Sequence, residues 1–370
     1  MKKIICTVTN DLNYDQRMIR ICSTLADAGY DVTLVGRKKP DSRALKKQNF
    51  HQKRMKLYFL KGKAFYLEYN IRLFFYLLFH RFDMVSSVDL DSILPGVLVA
   101  KLKGKKVAYD AHEYFAELPE VVNRKAVQSI WQRVANFCIP KVDLAYTVCS
   151  SLADIFKKVF KKKFAVVRNV PFQKNAPEDQ SIPLDEKNTV ILYQGALNEG
   201  RGIEQMIAAM EQLEDVELRL IGEGDLSEDL RAMVAEKHLS HKVKFLGYVL
   251  PDDLPKHTRA AHIGINLLEN KGLNYYYSLA NKAFDYIQAG KPSLHMDFPE
   301  YRKLNEQFDV FLLLQSLDPK EIAKAIQKLK DDKNLYKKLS ENCRKAAGTL
   351  HWENEAKTLI SMYEQHLPVQ

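Results

Sequence analysis

Apolar runs of strand length alternate with segments of helical apolar spacing through this chain; the alternation breaks once, over residues 171–188, and then restarts. Repeated strand–helix units of this kind bury their apolar faces by parallel strand pairing under covering helices. The first unit is explicit. Residues 3–8 read as a strand and Asn10-Asp11-Leu12-Asn13 as a turn. Residues 15–28 read as a helix, with Met18, Ile19, Ile21, Cys22 and Leu25 on its apolar side and Gly29 at its end, and residues 32–35 as the next strand. Further strands are expected around Val85 and over 106–109, 145–148 and 164–167, with a helix over 93–102. Residues 171–188, rich in Pro, Asn, Asp, Gln and Lys, read as a linker. Strands at 189–193, 216–221, 243–246, 263–267 and 293–295 then alternate with helices at 203–213, 226–238 and 276–289, and two helices close the chain.

The expectation is therefore α/β, with two doubly wound Rossmann-like domains, the first over 1–172 and the second over 186–350. A length of 370 residues agrees with two cores. Ligands of such sheets bind beyond the carboxyl ends of the strands, which places the expected site in a cleft between the domains.

Composition removes several alternatives. At 46% hydrophobic and 28% charged residues the chain is neither disordered nor low-complexity. The opening apolar run is too short for a signal peptide. The greasiest stretch, 71–79, contains an Arg and falls short of the ~20 residues that span a bilayer. Five scattered cysteines without a CxxC give no disulfide or zinc framework, and a cytoplasmic location is expected. Ten histidines include no HExxH spacing, so no metal is expected. The net charge of +10 is uneven: residues 1–180 carry +15 and residues 181–370 carry −5. A basic first half suits an anionic membrane surface, a nucleic acid or a phosphorylated acceptor, and equally suits solvated lysines. No recognised reading module accompanies the basic stretches, so nucleic acid is not an expected partner.

Several residues are placed for chemistry. Gly195-Ala196-Leu197-Asn198-Glu199-Gly200-Arg201-Gly202 lies between a strand and a helix, where backbone amides and a forked Arg201 suit phosphate; a tight turn has the same pattern. Ser278 is placed to cap the helix that holds Asn281, Lys282 and Asp285. Lys282 in the first turn opposes the helix dipole unless an anion is present, and Asp285 suits a vicinal diol. A helical Lys–Asp pair on the surface is the alternative. His112, in Tyr109-Asp110-Ala111-His112-Glu113, follows a strand end and suits a sugar hydroxyl or acid–base work, unless it is structural. Asp89 and Asp91 follow another strand end, where helix capping is the plain role. Residues 66–79 form an aromatic helix preceded by Lys53, Arg54, Lys56, Lys61 and Lys63. It reads as buried core on its all-round hydrophobicity, with a membrane-interface helix as the alternative.

Over essentially its whole length the chain resembles the family-4 glycosyltransferases of the GT-B fold, closest to those of bacterial surface-polysaccharide biosynthesis. The resemblance rests on Asp15-Gln16-Arg17, Tyr109-Asp110-Ala111-His112-Glu113, Gly195 to Gly202, Leu220-Ile221-Gly222-Glu223-Gly224, Phe245-Leu246-Gly247-Tyr248 and Asn281 to Pro292. Residues 351–370, around Trp352-Glu353, resemble the last helix of the family, which crosses back to the first domain.

The resemblance implies retaining, metal-independent transfer of a sugar from a nucleoside-diphosphate donor, UDP- or GDP-linked, with no resident cofactor. His112, Arg201 and Lys282 are the implied catalytic residues. Gly195, Asn198, Gly202, Gly222, Tyr248, Val249, Tyr277, Ser278, Asn281 and Asp285 are the implied nucleotide-sugar contacts, and Asp11, Arg17, Asp89 and Glu113 the implied acceptor contacts. The expected acceptor is a glycan, lipid-linked, at the inner face of the membrane with peripheral contact to anionic lipid. Tyr277 stands where the family has the first Glu of a pair, Asp285 replaces the second, and Ala196 stands where the family often has Arg. A sugar-nucleotide epimerase of the same architecture and a non-catalytic subunit of a transferase complex are the alternative readings.

Overall fold

All strand pairs among the described residues are parallel, as the repeated strand–helix pattern requires. The computed structural model describes residues 1–173 and 188–369. Most of the expected linker, 171–188, lies outside the described residues. The chain divides into two compact units, Met1–Asn169 with Trp352–Gln370, and Val170–His351.

The first unit runs β1 (Lys3–Thr7), α1 (Gln16–Asp27), β2 (Asp31–Lys38), β3 (His51–Lys56), α2 (Gly62–Phe79), β4 (Met84–Val88), α3 (Asp89–Leu102), β5 (Lys106–Ala111), α4 (Pro119–Val122), α5 (Lys125–Cys138), β6 (Leu144–Thr147), α6 (Ser150–Phe160) and β7 (Ala165–Val166). Its sheet has the order β3-β2-β1-β4-β5-β6-β7. The chain winds outward from β1 in both directions, so the β1/β4 boundary is the switch point. Asp15 starts α1 by accepting from the Met18 amide at 3.0 Å.

The second unit runs β8 (Thr189–Gln194), α7 (Ile203–Ala209), β9 (Val216–Ile221), α8 (Ser227–Glu236), β10 (Val243–Gly247), α9 (Leu254–Arg259), β11 (Ile263–Asn266), α10 (Leu273–Tyr276), α11 (Asn281–Gln288), β12 (Ser293–Met296), α12 (Pro299–Phe308), β13 (Phe311–Leu314), α13 (Pro319–Asp331) and α14 (Lys333–Ala347). The order β10-β9-β8-β11-β12-β13 puts its switch point between β8 and β11. A last helix, α15 (Trp352–His366), belongs to the first unit. Three helices therefore follow β13, where the sequence pattern suggested two closing helices.

α15 is held by specific contacts within its unit. Trp352 is fully buried and its Nε1 donates to Thr24 Oγ1 at 2.9 Å. Arg168 pairs with Glu355 at 3.0 Å, and the Tyr363 hydroxyl meets those of Ser86 and Tyr146.

α2 corrects the buried-helix expectation. Phe65, Tyr69, Leu73 and Leu77 form one i+4 row and are buried. Leu67, Ile71, Phe75 and Phe79 form the opposite row and are exposed, Phe79 by 77%. Both rows are apolar, so the periodicity that normally marks the outer face is missing. No described helix is long and apolar enough to cross a membrane.

Replacing Trp352 by Ala removes the anchor of α15 and is expected to cost about 3–5 kcal/mol. Urea unfolding followed by circular dichroism checks this; an unchanged midpoint would contradict the anchoring role.

Candidate functional site

The loops at the carboxyl ends of β8 and β9 interlock. Gly195 donates its amide to the Ile221 carbonyl at 2.9 Å. Gly222 has φ +127°, and a Cβ there would lie 1.9 Å from the Gly195 carbonyl oxygen, so no other residue fits. Asn198 Oδ1 accepts from the Asp225 amide at 3.1 Å, tying the two loops again. Gly202, with φ +67°, starts α7, and a Cβ there would meet the Leu267 carbonyl at 2.0 Å. The tight-turn reading and the ligand reading of this glycine run thus describe one object. Close backbone packing leaves no room for a Cβ at Gly202 or Gly222.

Two cations stand beside the Gly195 loop. Lys282, in the first turn of α11, is buried, with Nζ 3.7 Å from the centre of the Tyr193 ring. It also lies 3.3 Å from where a Gly195 Cβ would be. The Arg201 guanidinium lies 4.7 Å from the centre of the Tyr275 ring, and its Nε is buried with no hydrogen-bond partner among the described residues. Neither cation forms an ion pair with a carboxylate among the described residues. Burial first, then the Arg201 charge, push the Lys282 ammonium well below its ordinary value, while Asp285 opposes the shift. Aromatic faces offer partial compensation, but a full counter-charge is missing. This arrangement attracts an anion.

The other expected nucleotide-sugar contacts sit around these cations in unequal ways. Ser278 does not cap α11: its hydroxyl donates to the Tyr275 carbonyl at 2.9 Å, and Ala280 occupies the cap position. The cause is the turn of α10, which brings the Tyr275 carbonyl within reach first. Asn281 opens α11. Asp285 Oδ2 accepts from Gln194 Nε2 at 2.8 Å, and Gln194 in turn accepts from Thr258 Oγ1 at 2.8 Å. Tyr277 packs its ring edge against Tyr276. Tyr248, just past β10, is 61% exposed, while Val249 packs on the core beside Tyr286.

In the first unit, Asp110 is completely buried on β5 and holds a bidentate pair with Arg17 of α1. Arg17 Nε meets Oδ2 at 3.0 Å and Nη2 meets Oδ1 at 2.8 Å. Arg17 Nη1 donates to the Val167 carbonyl at 2.9 Å. Expected as an acceptor contact, Arg17 is instead turned inward and spent on this pair. His112 Nε2 lies 3.0 Å from Asp110 Oδ2, and Nδ1 lies 3.6 Å from Asp89 Oδ2. Burial lowers the affinity of His112 for its proton, but Asp110 and then Asp89 outweigh it and raise the imidazole to about 9. Arg17 and then His112 hold the Asp110 carboxyl at about 2 against its own burial.

Asp89 does not cap α3; it opens that helix directly after β4 with φ +54°, a backbone conformation uncommon outside glycine. Its Oδ1 accepts from the His112 amide at 2.9 Å, and burial raises its carboxyl well above the ordinary range. Asp91 accepts from Thr9 Oγ1, and burial raises it to about 6. Asp11, also expected at the acceptor, is buried against Arg54 at 2.9 Å. Glu113 lines a cavity of about 130 Å³ with Tyr109, Tyr114, Phe115, Phe156 and Phe160. Among the described residues no group of three or more His, Cys, Asp or Glu is arranged to hold a metal ion.

Three residues were not anticipated: Tyr193, Tyr275 and Asp110. Tyr193 ends an apolar run, and that position on a strand was the available signal. The contact of Tyr275 with Arg201 joins separate elements and leaves no local trace.

Comparisons with known proteins bear on the family and the fold. Residues 16–170 match the model described as Glycosyltransferase Family 4, and residues 175–346 match Glycosyl transferases group 1. An uncharacterised glycosyltransferase of Methanocaldococcus jannaschii is 22% identical over 200 residues, which are 53% of this chain and 50% of the relative. The chain thus matches about half the length of that curated relative. Among solved structures, a sucrose-phosphate synthase of Thermosynechococcus elongatus superposes with a TM-score of 0.81 at 18% identity, over 99% of both chains. HepE of Anabaena, in complex with UDP-glucose, gives 0.77 at 14% identity over 99% of this chain and 100% of that one. WaaG, a glycosyltransferase involved in lipopolysaccharide biosynthesis, gives 0.74 at 15% identity over 99% and 100%. At these identities the likeness establishes the fold, that of GT-B glycosyltransferases.

Replacing Lys282 by Met is expected to raise the melting temperature and abolish binding of inorganic pyrophosphate. Below the depressed folded-state value the buried charge exerts its full cost; the cost is relieved as pH rises from there toward the unfolded value of 10.5. Stability of the native chain relative to Lys282→Met should therefore improve with rising pH. A parallel pair of stability–pH curves would contradict the burial of that charge.

Proposed function

We propose that this chain, which belongs to the group 1 and family 4 glycosyltransferases, moves a sugar with retention from a nucleoside-diphosphate donor to a hydroxyl of a lipid-linked glycan in surface-polysaccharide synthesis. The observation that carries the donor reading is the pair of cations, Lys282 and Arg201, beside the Gly195 loop and without carboxylate partners among the described residues. A diphosphate leaving group gains negative charge as its bond to the sugar breaks. Two preorganised cations stabilise that charge, a task a divalent ion performs in other enzymes. The acceptor hydroxyl attacks on the face the leaving group departs from, and its proton passes to the departing phosphate oxygen. His112, charged at neutral pH, meets a hydroxyl of the donor sugar.

Within the nucleotide site, Asp285 receives the ribose diol and the exposed Tyr248 meets the base, uracil or guanine of a UDP- or GDP-linked donor. HepE, whose complex holds UDP-glucose, supports a sugar-nucleotide donor for this fold. No resident cofactor is part of this reading.

The lipid-linked acceptor is supported by the surface of the first unit. Leu67, Ile71, Phe75 and Phe79 of α2 are exposed together with Tyr58, Phe59 and Leu60 of the preceding loop. Glu68 ties that loop to α2 by accepting from the Tyr58 and Phe59 amides, both at 2.9 Å. Lys56, Lys61, Lys63 and Arg72 are close in sequence to this apolar face. An aromatic face next to cations fits the interface of an anionic bilayer, here the inner face of the cytoplasmic membrane.

Two experiments test the reading. A thermal-shift panel of nucleoside diphosphates should single out one base, since a ligand at about one hundred times its Kd adds about 2.7 kcal/mol. Arg201→Ala should then lower turnover by about a hundredfold or more with little loss of stability. No shift with any nucleotide, or full turnover in Arg201→Ala, would overturn the donor site. Separately, the protein should co-sediment with vesicles containing anionic lipid and not with neutral vesicles at physiological salt. Phe75→Ser with Phe79→Ser should abolish that binding without changing nucleotide affinity; retained binding would remove this support for a lipid-linked acceptor.

A further inference from the structure

We propose that Asp110, clamped by Arg17, is a positioning residue that fixes the ring of His112 so that Nδ1, not Nε2, is the atom offered to the sugar hydroxyl. The inference rests on the reading of His112 as a ligand contact and specifies how that contact is made. Asp110 Oδ2 is shared: it accepts from Arg17 Nε and faces His112 Nε2, each at 3.0 Å. Its other oxygen is taken by Arg17 Nη2 at 2.8 Å, and the third guanidinium nitrogen is spent on the Val167 carbonyl. The carboxylate therefore cannot rotate without breaking two charge-assisted bonds in a buried site.

The consequence falls on the imidazole. With Nε2 held by Asp110, only Nδ1 is left to donate outward. Nδ1 lies 3.6 Å from Asp89 Oδ2, beyond hydrogen-bond distance. The His112 and Asp89 side chains are 22% and 18% exposed, so the gap between them is reachable. Asp89 is itself fixed, by its strained backbone at the start of α3 and by the His112 amide on Oδ1. A hydroxyl entering there would accept from Nδ1–H and donate to Asp89 Oδ2.

The charged and titratable groups acting on His112 are Asp110 on β5, Arg17 on α1, and Asp89 and Asp91 on α3, with Glu113 acting on Asp89 and Tyr146 of β6 on Arg17. Asp110 is the largest cause holding the imidazole protonated, with burial working against it. Without the Asp110 charge the ring should lose its proton at lower pH.

Nuclear magnetic resonance of the ring protons of His112 tests this directly. In the native protein His112 should titrate near 9, with Nε2–H the strongly hydrogen-bonded proton. Asp110→Asn should bring the midpoint below the ordinary 6.5, and should move the alkaline limb of kcat/KM down by the same interval. A native His112 that titrates near 6.5, or an Asp110→Asn protein whose alkaline limb stays in place while only its stability falls, would overturn the proposal. If Asp110→Asn does not fold, the native titration alone decides. The titration also separates two failures: a chain without transferase turnover but with His112 at about 9 would retain the positioning and lose the sugar contact.

Discussion

A buried ammonium beside a guanidinium, with no carboxylate ion-paired to either among the described residues, is the interaction on which the second unit depends. Like charges this close repel, and burial adds a desolvation cost for Lys282. The fold sustains them with neighbours chosen for partial compensation: the Tyr193 face under Lys282 and the Tyr275 face under Arg201. The interlocked glycine loops bring their backbone close to Lys282 and Tyr275, where a Cβ on Gly195 or Gly200 would meet those side chains. In the proposed reading stability and function pull in opposite directions here, the missing counter-charge being what a bound diphosphate would supply.

The first unit solves its electrostatics in the reverse way. Arg17, Asp110, His112 and Asp89 form a chain of alternating charge in which each buried group has a partner. That chain ends at the surface, at the carboxyl ends of β4 and β5 beside the switch point. The two units share one architecture, yet one is organised to await a charge and the other to hold a charged imidazole still.

How much of this was legible in the sequence depended on whether the cause was local. β9, at 216–221, was read to the residue because Val216, Leu218 and Leu220 alternate with the charged Glu217 and Arg219 and Gly222 follows the last apolar residue. β3 was not read: His51–Lys56 is an edge strand in which only Met55 is buried, so no alternation exists to detect. α12 and β13 were missed as well; α12 is strongly polar, and β13 is four residues long. α2 was read as wholly buried because apolar residues occupy both of its faces. In the site, Lys282 and Arg201 were legible because helix-dipole and glycine-loop chemistry act over a few residues. The inward turn of Arg17 was not, since its partner lies 93 positions away. Tyr275 was hidden for the same reason.

The central claim is that the buried Lys282 ammonium beside Arg201 lacks a counter-charge until an anion arrives, which lowers its hold on its proton. Titration calorimetry of the cognate nucleoside diphosphate, at mildly alkaline pH in buffers of different ionisation enthalpy, measures this directly. Binding should take up a proton, because the incoming charge restores the ordinary affinity of Lys282 for it, and the uptake should vanish in Lys282→Met. Tight binding with no proton taken up by the native protein would contradict the account.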